Sequence, residues 1–492
     1  MKNIKLINTF VSVFFVSASL LAQGLPPAGQ QQSTKGAVIK GKAPVSKEIL
    51  KVKLPRPFET KLSNGLQVMI MEDHSLPNFS MQMTILSGGM SDQSDNIGVA
   101  QYTATLLREG TKTRNSKQIA EQVDALGATL SANAGLTSLT STVAASGLTE
   151  NMNQVMELFA DVLLNPNFPA DEFNKLKTRA LGSLRLNRAN PNFLAGEMMS
   201  KMMYGNHPGG WFNLTAADLQ KLAPEALQKF HATYYKPNNA IFSIVGDVNP
   251  KEAITLLEKT FGAWQKGEAT APNIPAVAGI GAAKIALIDR PGSAQTNLVL
   301  TSQGITRDDP DYFAVEIMNQ VLGGSASARL FLNLREDKGY TYGAYSNVST
   351  YKYRGGISAR TEVRTEVTEG SMKELFYELK RLQEEKVPEK ELENAKRSIV
   401  GGFALQLESP ASVLSDMLTL KLYGFPADYW DTYPVKIAAV TAEDVQRVAR
   451  KYLVMDKLQI VAVGDAAKIT EGLKKYGSLD LYDTDGKLKV MN

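Results

Sequence analysis

The chain repeats itself at long range, and the repeat limits its fold more than any single motif does. Tyr234 and Tyr452 each close a helical pattern, Leu227–Tyr234 and Val445–Tyr452, and stand 218 residues apart. Val245-Gly246-Asp247 returns at that spacing as Val463-Gly464-Asp465. Tyr204-Gly205 returns as Tyr423-Gly424, and Phe168-Pro169 as Val387-Pro388, at a spacing one residue longer. A period of this size means a duplicated domain rather than a solenoid. The break falls where residues 267–281 turn Pro-, Ala- and Gly-rich, which gives domains over 54–266 and 282–492 joined by that linker. With 492 residues, 43% of them hydrophobic, the chain can bury a core in each half.

Each half reads as strands, then helices, then a late strand. Leu66 to Met71 and Phe79 to Ser87 carry strand patterns, and helices are expected from Ile97 and over Ser116 to Leu126. A strand signal returns at Leu139 to Ala145, followed by helices at Glu150 to Leu163 and Ala170 to Arg188. A helix from Pro224 and the strand Ala240 to Val245 complete the half. Strands grouped apart from helices predict an α+β fold of two duplicated domains, each a mostly antiparallel sheet packed with helices.

Lys2 and Lys5 precede an apolar run from Ile7 to Leu21, and small residues around Ser17, Ala18, Ser19 and Ala22 close it. Residues 1–22 therefore read as a secretory signal, with an uncleaved anchor as the alternative, and a periplasmic location is expected with no stable membrane span. Residues 23–53 read as a flexible basic tether, in which Lys35, Lys40, Lys42, Lys47, Lys51 and Lys53 are opposed by Glu48 alone. The formal net charge of +4 asks for no nucleic acid. The absence of cysteine excludes disulfides, a lipobox and thiolate metal sites.

One predicted helix, within Asn96 to Thr111, carries Gln101, Ala104 and Thr105. An inverted zinc motif, His-x-x-Glu-His, would place imidazoles at the first and last of these positions and a carboxylate between them. A neutral amide, a methyl and a hydroxyl stand there instead. None is a good zinc ligand, and Ala104 accepts no proton.

The order of elements, the frame Gly98-Val99-Ala100 to Gly110-Thr111, and the run Leu322-Gly323-Gly324, Arg329-Leu330-Phe331, Leu334-Arg335-Glu336-Asp337-Lys338-Gly339 to Tyr342 together resemble the insulinase/pitrilysin/mitochondrial processing peptidase family. The resemblance covers about Leu54 to Lys475. It implies that active members hold zinc at the positions of Gln101, Ala104 and Thr105, with a further ligand glutamate in the helix Phe173 to Leu184, at Gly182. All four positions lack zinc-binding chemistry, so this chain is expected to bind no metal. Its histidines, His74, His207 and His231, are too far apart in sequence to form a helical ligand pair and read as structural or exposed.

The resemblance also implies that an arginine and a tyrosine seven residues apart bind the substrate carbonyl, and here they are Arg335 and Tyr342. Arg335 is placed in a helix's last turn, Gly339 at its left-handed cap, and Tyr342 at the start of an alternating strand, so that two donors converge on one oxygen. Certain bacterial members resemble heterodimers that divide the site between subunits. The chain is accordingly expected to be a substrate-binding partner of a homologous subunit with an intact His-x-x-Glu-His motif, which would hold the zinc and act on peptides. The alternative is a peptide-binding or assembly protein of the same fold with no proteolytic role. No Gly-x-Ser-x-Gly elbow or Walker spacing offers another chemistry.

Overall fold

The computed structural model describes residues 48–269 and 272–489. The expected signal, residues 1–22, and the tether as far as residue 47 lie outside the described residues. The end of the expected tether is not free chain. Leu50 and Val52 pack against the core, Leu54 is buried, and its N–H donates to Asp431 Oδ1 at 2.9 Å. Alternate apolar residues at 50, 52 and 54 are the physical reason, since they give the segment one face to bury.

The first half runs β1 (Phe58–Lys61), β2 (Gln67–Glu72), β3 (Asn78–Ile85), α1 (Val99–Leu106), α2 (Ser116–Ala125), β4 (Thr129–Ala134) and β5 (Ser141–Leu148). It continues through α3 (Met152–Leu164), α4 (Ala170–Asn187), α5 (Pro191–Tyr204), α6 (Ala216–Lys221), α7 (Pro224–Tyr234), β6 (Ala240–Gly246) and α8 (Pro250–Phe261). The second half runs β7 (Lys284–Asp289), β8 (Gln295–Gln303), α9 (Tyr312–Leu322), α10 (Arg329–Phe331), β9 (Thr341–Val348) and β10 (Gly356–Arg364). Then come α11 (Thr368–Glu384), α12 (Glu389–Gln406), α13 (Pro410–Tyr423), α14 (Tyr429–Ala439), α15 (Ala442–Tyr452), β11 (Gln459–Gly464), α16 (Ala466–Leu473), β12 (Ser478–Tyr482) and β13 (Leu488–Lys489).

The duplication is visible in the strand orders. The first sheet reads β1-β2-β6-β3-β5-β4, and the second contains the same core path, β7-β11-β8-β10-β9, extended by β12 and β13. Pairing is antiparallel except for β2–β6, β7–β11 and β7–β12. Every residue of β6 and β11 is buried, which is why these strands read as continuous apolar runs rather than alternating ones.

The helical hairpins α4–α5 and α12–α13 are copies built from the same local signals. Asn190 and Ser409 cap α5 and α13, each followed by a proline at the first helical position, and Gly205 and Gly424 end them at φ of 54° and 70°. Each of these second helices crosses to the other half. Leu194, Ala195, Met198, Met199 and Met203 of α5 pack on Ala286, Ile288, Val461 and Val463 of the second sheet. Val413, Leu414, Met417 and Leu418 of α13 share a core with Met69, Met71, Ile241 and Val245 of the first. Burying such side chains stabilises by roughly 1.5–3 kcal/mol each, so the exchange binds the halves into one unit from Ile49 onward.

Among the described residues no helix is long and apolar enough to cross a membrane. Residues 272–281 of the linker carry no helix or strand, yet the segment is pinned. Asn238 holds Gly267 through both its amide atoms, and His207 Nε2 donates to the Pro275 carbonyl at 2.9 Å.

Candidate functional site

A cavity of about 910 Å³ opens between the helices of the first half and the second sheet. Gln101 and Thr105 of α1 line it together with Leu176, Ala180, Ser183 and Leu184 of α4 and the inner face of α5. The opposite wall is β8, β9 and β10, and only Arg360 and Glu362 among its lining residues are charged.

The start of α1 is fixed by a half-buried carboxylate. Asp92 accepts from the N–H of Gly98 at 2.7 Å and of Ala100 at 3.0 Å, while burial pushes its pKa up to about 7. Gly98 has φ 95°, and a Cβ there would come within 2.7 Å of Leu214, so only glycine lets the helix begin here. Thr105 Oγ1 donates back to the Gln101 carbonyl at 2.9 Å, which turns the hydroxyl onto its own helix. Ala104 is fully buried in the core. These groups do not fit zinc, which takes imidazole, thiolate or carboxylate ligands. Among the described residues no cluster of three or more histidine, aspartate or glutamate side chains is arranged to hold a metal.

The expected fourth position lies one residue from the cavity wall. Gly182 does not line the cavity, although it is as exposed as Ser183, and a Cβ built on it meets nothing within 4 Å. At 100° per residue, the helix turns Ser183 rather than Gly182 onto the wall with Ala180 and Leu184. Serine is no better a zinc ligand than glycine, so the chemistry of the wall is unchanged.

Arg335 reaches Tyr342 through that residue's backbone. Arg335 Nη1 donates to the Tyr342 carbonyl at 3.1 Å, and its guanidinium lies over the Phe331 ring at 4.8 Å. Arg335 sits in a π-helical turn, Leu332–Asp337, that follows α10, and Gly339 takes φ 63° as its exit. The β9–β10 register shifts between Thr361 and Val363, so Tyr342 and Gly343 together face Glu362 in a bulge. The Tyr342 side chain is 90% exposed. Gly343 lines the cavity, but neither Arg335 nor Tyr342 does.

Each histidine has a structural partner. His74 lies between Asp247 and Glu72, which raise its pKa. His207 Nδ1 accepts from the Gly209 N–H while Nε2 holds the linker. His231 Nε2 donates to the Leu163 carbonyl at 2.7 Å, and burial holds its pKa down at about 4. The folded ring is therefore neutral where the unfolded one, titrating near 6.5, takes up a proton. Stability from this group is complete above pH of about 6.5 and is lost as pH falls toward about 4. Denaturant unfolding of the native chain is expected to lose ~2 kcal/mol from this group between pH 6.5 and 5, a loss that His231→Gln removes.

Sequence reasoning missed the strand β4 and the helix α5, although the alternation in Thr129–Ala134 and the Asn190-Pro191 cap were there to be read. It also missed the aromatic wall formed by Trp211, Phe212, Tyr345, Tyr351 and Tyr353, whose residues come from both halves. Burial raises the Tyr353 hydroxyl to about 12, so it stays protonated.

Two family models match consecutive stretches of the chain: Insulinase (Peptidase family M16) over residues 67–210, and Peptidase M16 inactive domain over residues 221–399. An uncharacterized zinc protease of Bacillus subtilis, YmxG, is 26% identical over 395 residues, covering 80% of this chain and 95% of the relative. An uncharacterized zinc protease of Mycobacterium tuberculosis, Rv2782c, is 26% identical over 401 residues, or 81% of this chain and 91% of the relative. Among solved structures, a peptidase M16 inactive domain from Pseudomonas fluorescens superposes with a TM-score of 0.76 at 29% identity, covering 84% of this chain and 98% of that one. A protease from Helicobacter pylori gives the same TM-score at 21% identity, with 83% and 100% covered.

Proposed function

The chain belongs to the insulinase family, peptidase family M16, and on that premise we propose that it is a non-catalytic, substrate-binding subunit that lends Arg335 and Tyr342 to a zinc-bearing homologous partner. One observation carries the reading. The two residues sit side by side on adjoining backbone irregularities, a π turn and a β-bulge, and lie off the wall of their own chain's cavity. Both irregularities recur at functional sites, where they aim side chains that regular structure would misdirect. A half-exposed arginine and an almost fully exposed tyrosine are free to meet a substrate bound on a second subunit.

The division of labour follows from the residues. Gln101, Ala104, Thr105 and the α4 wall supply neither metal ligand nor base. Arg335 and Tyr342 supply hydrogen-bond donors for a carbonyl oxygen that gains negative charge. An extended peptide would reach them by pairing with a sheet edge, and β9 is such an edge. The mature chain is taken to be exported, so the pair would assemble in the periplasm.

The test is co-expression with a homologue carrying an intact His-x-x-Glu-His motif, followed by metal analysis and a peptide cleavage assay. One zinc per heterodimer, lost when the partner's motif is mutated, with cleavage only when both chains are present, is the expected result. The second reading, a peptide-binding or assembly protein without proteolysis, is favoured by the cavity's being enclosed by elements of one chain. A stable homodimer that binds peptides uncut in the presence of every such homologue would establish it instead.

A further inference from the structure

The cavity wall carries three partly exposed aromatic rings, and each is propped by a second ring near a glycine. Phe212, 43% exposed, meets Phe193 edge to face at 5.4 Å, and a Cβ at Gly196 would come within 2.7 Å of the Phe212 ring. Tyr345, 40% exposed, leans on Phe331 at 5.6 Å, and a Cβ at Gly343 would lie 2.6 Å from its ring. Tyr351, 37% exposed, stacks on Tyr353 at 4.9 Å and 19°, while Tyr353 is buried and closes over Gly209, where a Cβ would approach to 2.5 Å.

Three such arrangements, built from separate segments of both halves, are hard to attribute to core packing, because the outer ring of each remains wet. A ring held in place by its support loses little freedom when a ligand covers it, and aromatic residues fixed in this way dominate binding energy at interfaces. The surrounding wall gives no net sign of charge, since Arg360 and Glu362 oppose each other two residues apart on β10. A strongly acidic or basic segment would therefore give up hydration there without a compensating field.

We propose that Phe212, Tyr345 and Tyr351 are anchor points for aromatic and large apolar side chains, so that the cavity selects uncharged peptide segments rich in them. The inference rests on the second reading above, in which this chain's own cavity binds peptides, and names the class of peptide it takes. Tyrosine hydroxyls and the cavity's asparagine amides then serve the peptide backbone, which every segment shares.

Calorimetric titration of the full chain with three peptides of equal length, one aromatic and uncharged, one lysine-rich and one glutamate-rich, tests it. The aromatic peptide is expected to bind at least about tenfold tighter than either charged one. Phe212→Ala and Tyr351→Ala should each weaken it about tenfold. Gly196→Ala should do the same by displacing the Phe212 ring, although alanine favours the helix and the melting temperature should not fall. Tyr377→Ala, at a 52% exposed tyrosine outside the cavity, should change nothing. Charged peptides binding as tightly as the aromatic one, with the ring variants silent, would overturn the selectivity and leave the peptide site standing. Failure of all three peptides to bind would overturn both.

Discussion

In a complex with a zinc-bearing partner, Arg335→Ala is expected to lower peptide turnover by roughly a hundredfold to a thousandfold, the range for loss of one donor to a developing oxyanion. The size of the effect follows from how the side chain is held. Its Nη1 is committed to the Tyr342 carbonyl at 3.1 Å, its Nε lies 3.4 Å from Glu336, and its face rests on Phe331. The remaining N–H groups of the fork are thus aimed before substrate arrives, which is the condition for stabilising charge without reorganisation. An interaction made mainly in the transition state lowers kcat and kcat/KM together, so KM should stay near its original value. Arg335→Lys should recover little, because an ammonium cannot hold the carbonyl and present further donors in one plane. The side chain is 46% exposed, so melting temperature should be unchanged in either variant. Full turnover by the Arg335→Ala complex would remove the role assigned to this residue.

The features that were legible in the sequence are those that local chemistry writes. The recurrence of Val245-Gly246-Asp247 as Val463-Gly464-Asp465 marks the ends of β6 and β11, the buried central strands of the two sheets. Pro169 and Pro388 stand at the N-caps of α4 and α12, and Gly339 exits the turn that carries Arg335. What was not legible depends on partners distant in sequence. The methionine-rich face of α5 announces burial but not that the surface it buries belongs to the other half. The π turn at Leu332–Asp337 leaves no signature, because one extra residue in a helical turn has no composition of its own. The β9–β10 bulge is equally silent, since it is defined by a count against a strand that lies elsewhere in the chain. Gly182 shows the same limit at the scale of one residue. A frame matched by spacing locates a helix to within a position, whereas a ligand must be right in phase, and 100° is enough to take a residue off the cavity wall.

That phase makes a strong prediction about metal. Gln101→His and Thr105→His together with Ser183→Glu should create a zinc site on this chain, whereas the same two histidines with Gly182→Glu should not. Positions 101 and 105 both line the cavity one helical turn apart, the spacing at which two imidazoles grip one ion. Ser183 lies on the wall of that cavity, whereas Gly182 does not, and a Cβ at Gly182 meets no neighbour within 4 Å. A catalytic zinc site needs three protein ligands and an open position, so the first set is complete and the second is one ligand short. Since disturbing outer-shell partners alone costs 10–100-fold, the Ser183→Glu set should bind zinc at least about 100-fold tighter. Chelator competition measures the difference, and thermal stabilisation by added zinc, present for the first set alone, reports it independently of any activity. Equal affinities would show that α4 does not hold this phase. The zinc-bearing variant should still hydrolyse nothing alone, because Ala104 offers no base. Its position at 0% exposure explains why adding Ala104→Glu would be costly, since that carboxylate must be buried before it can act.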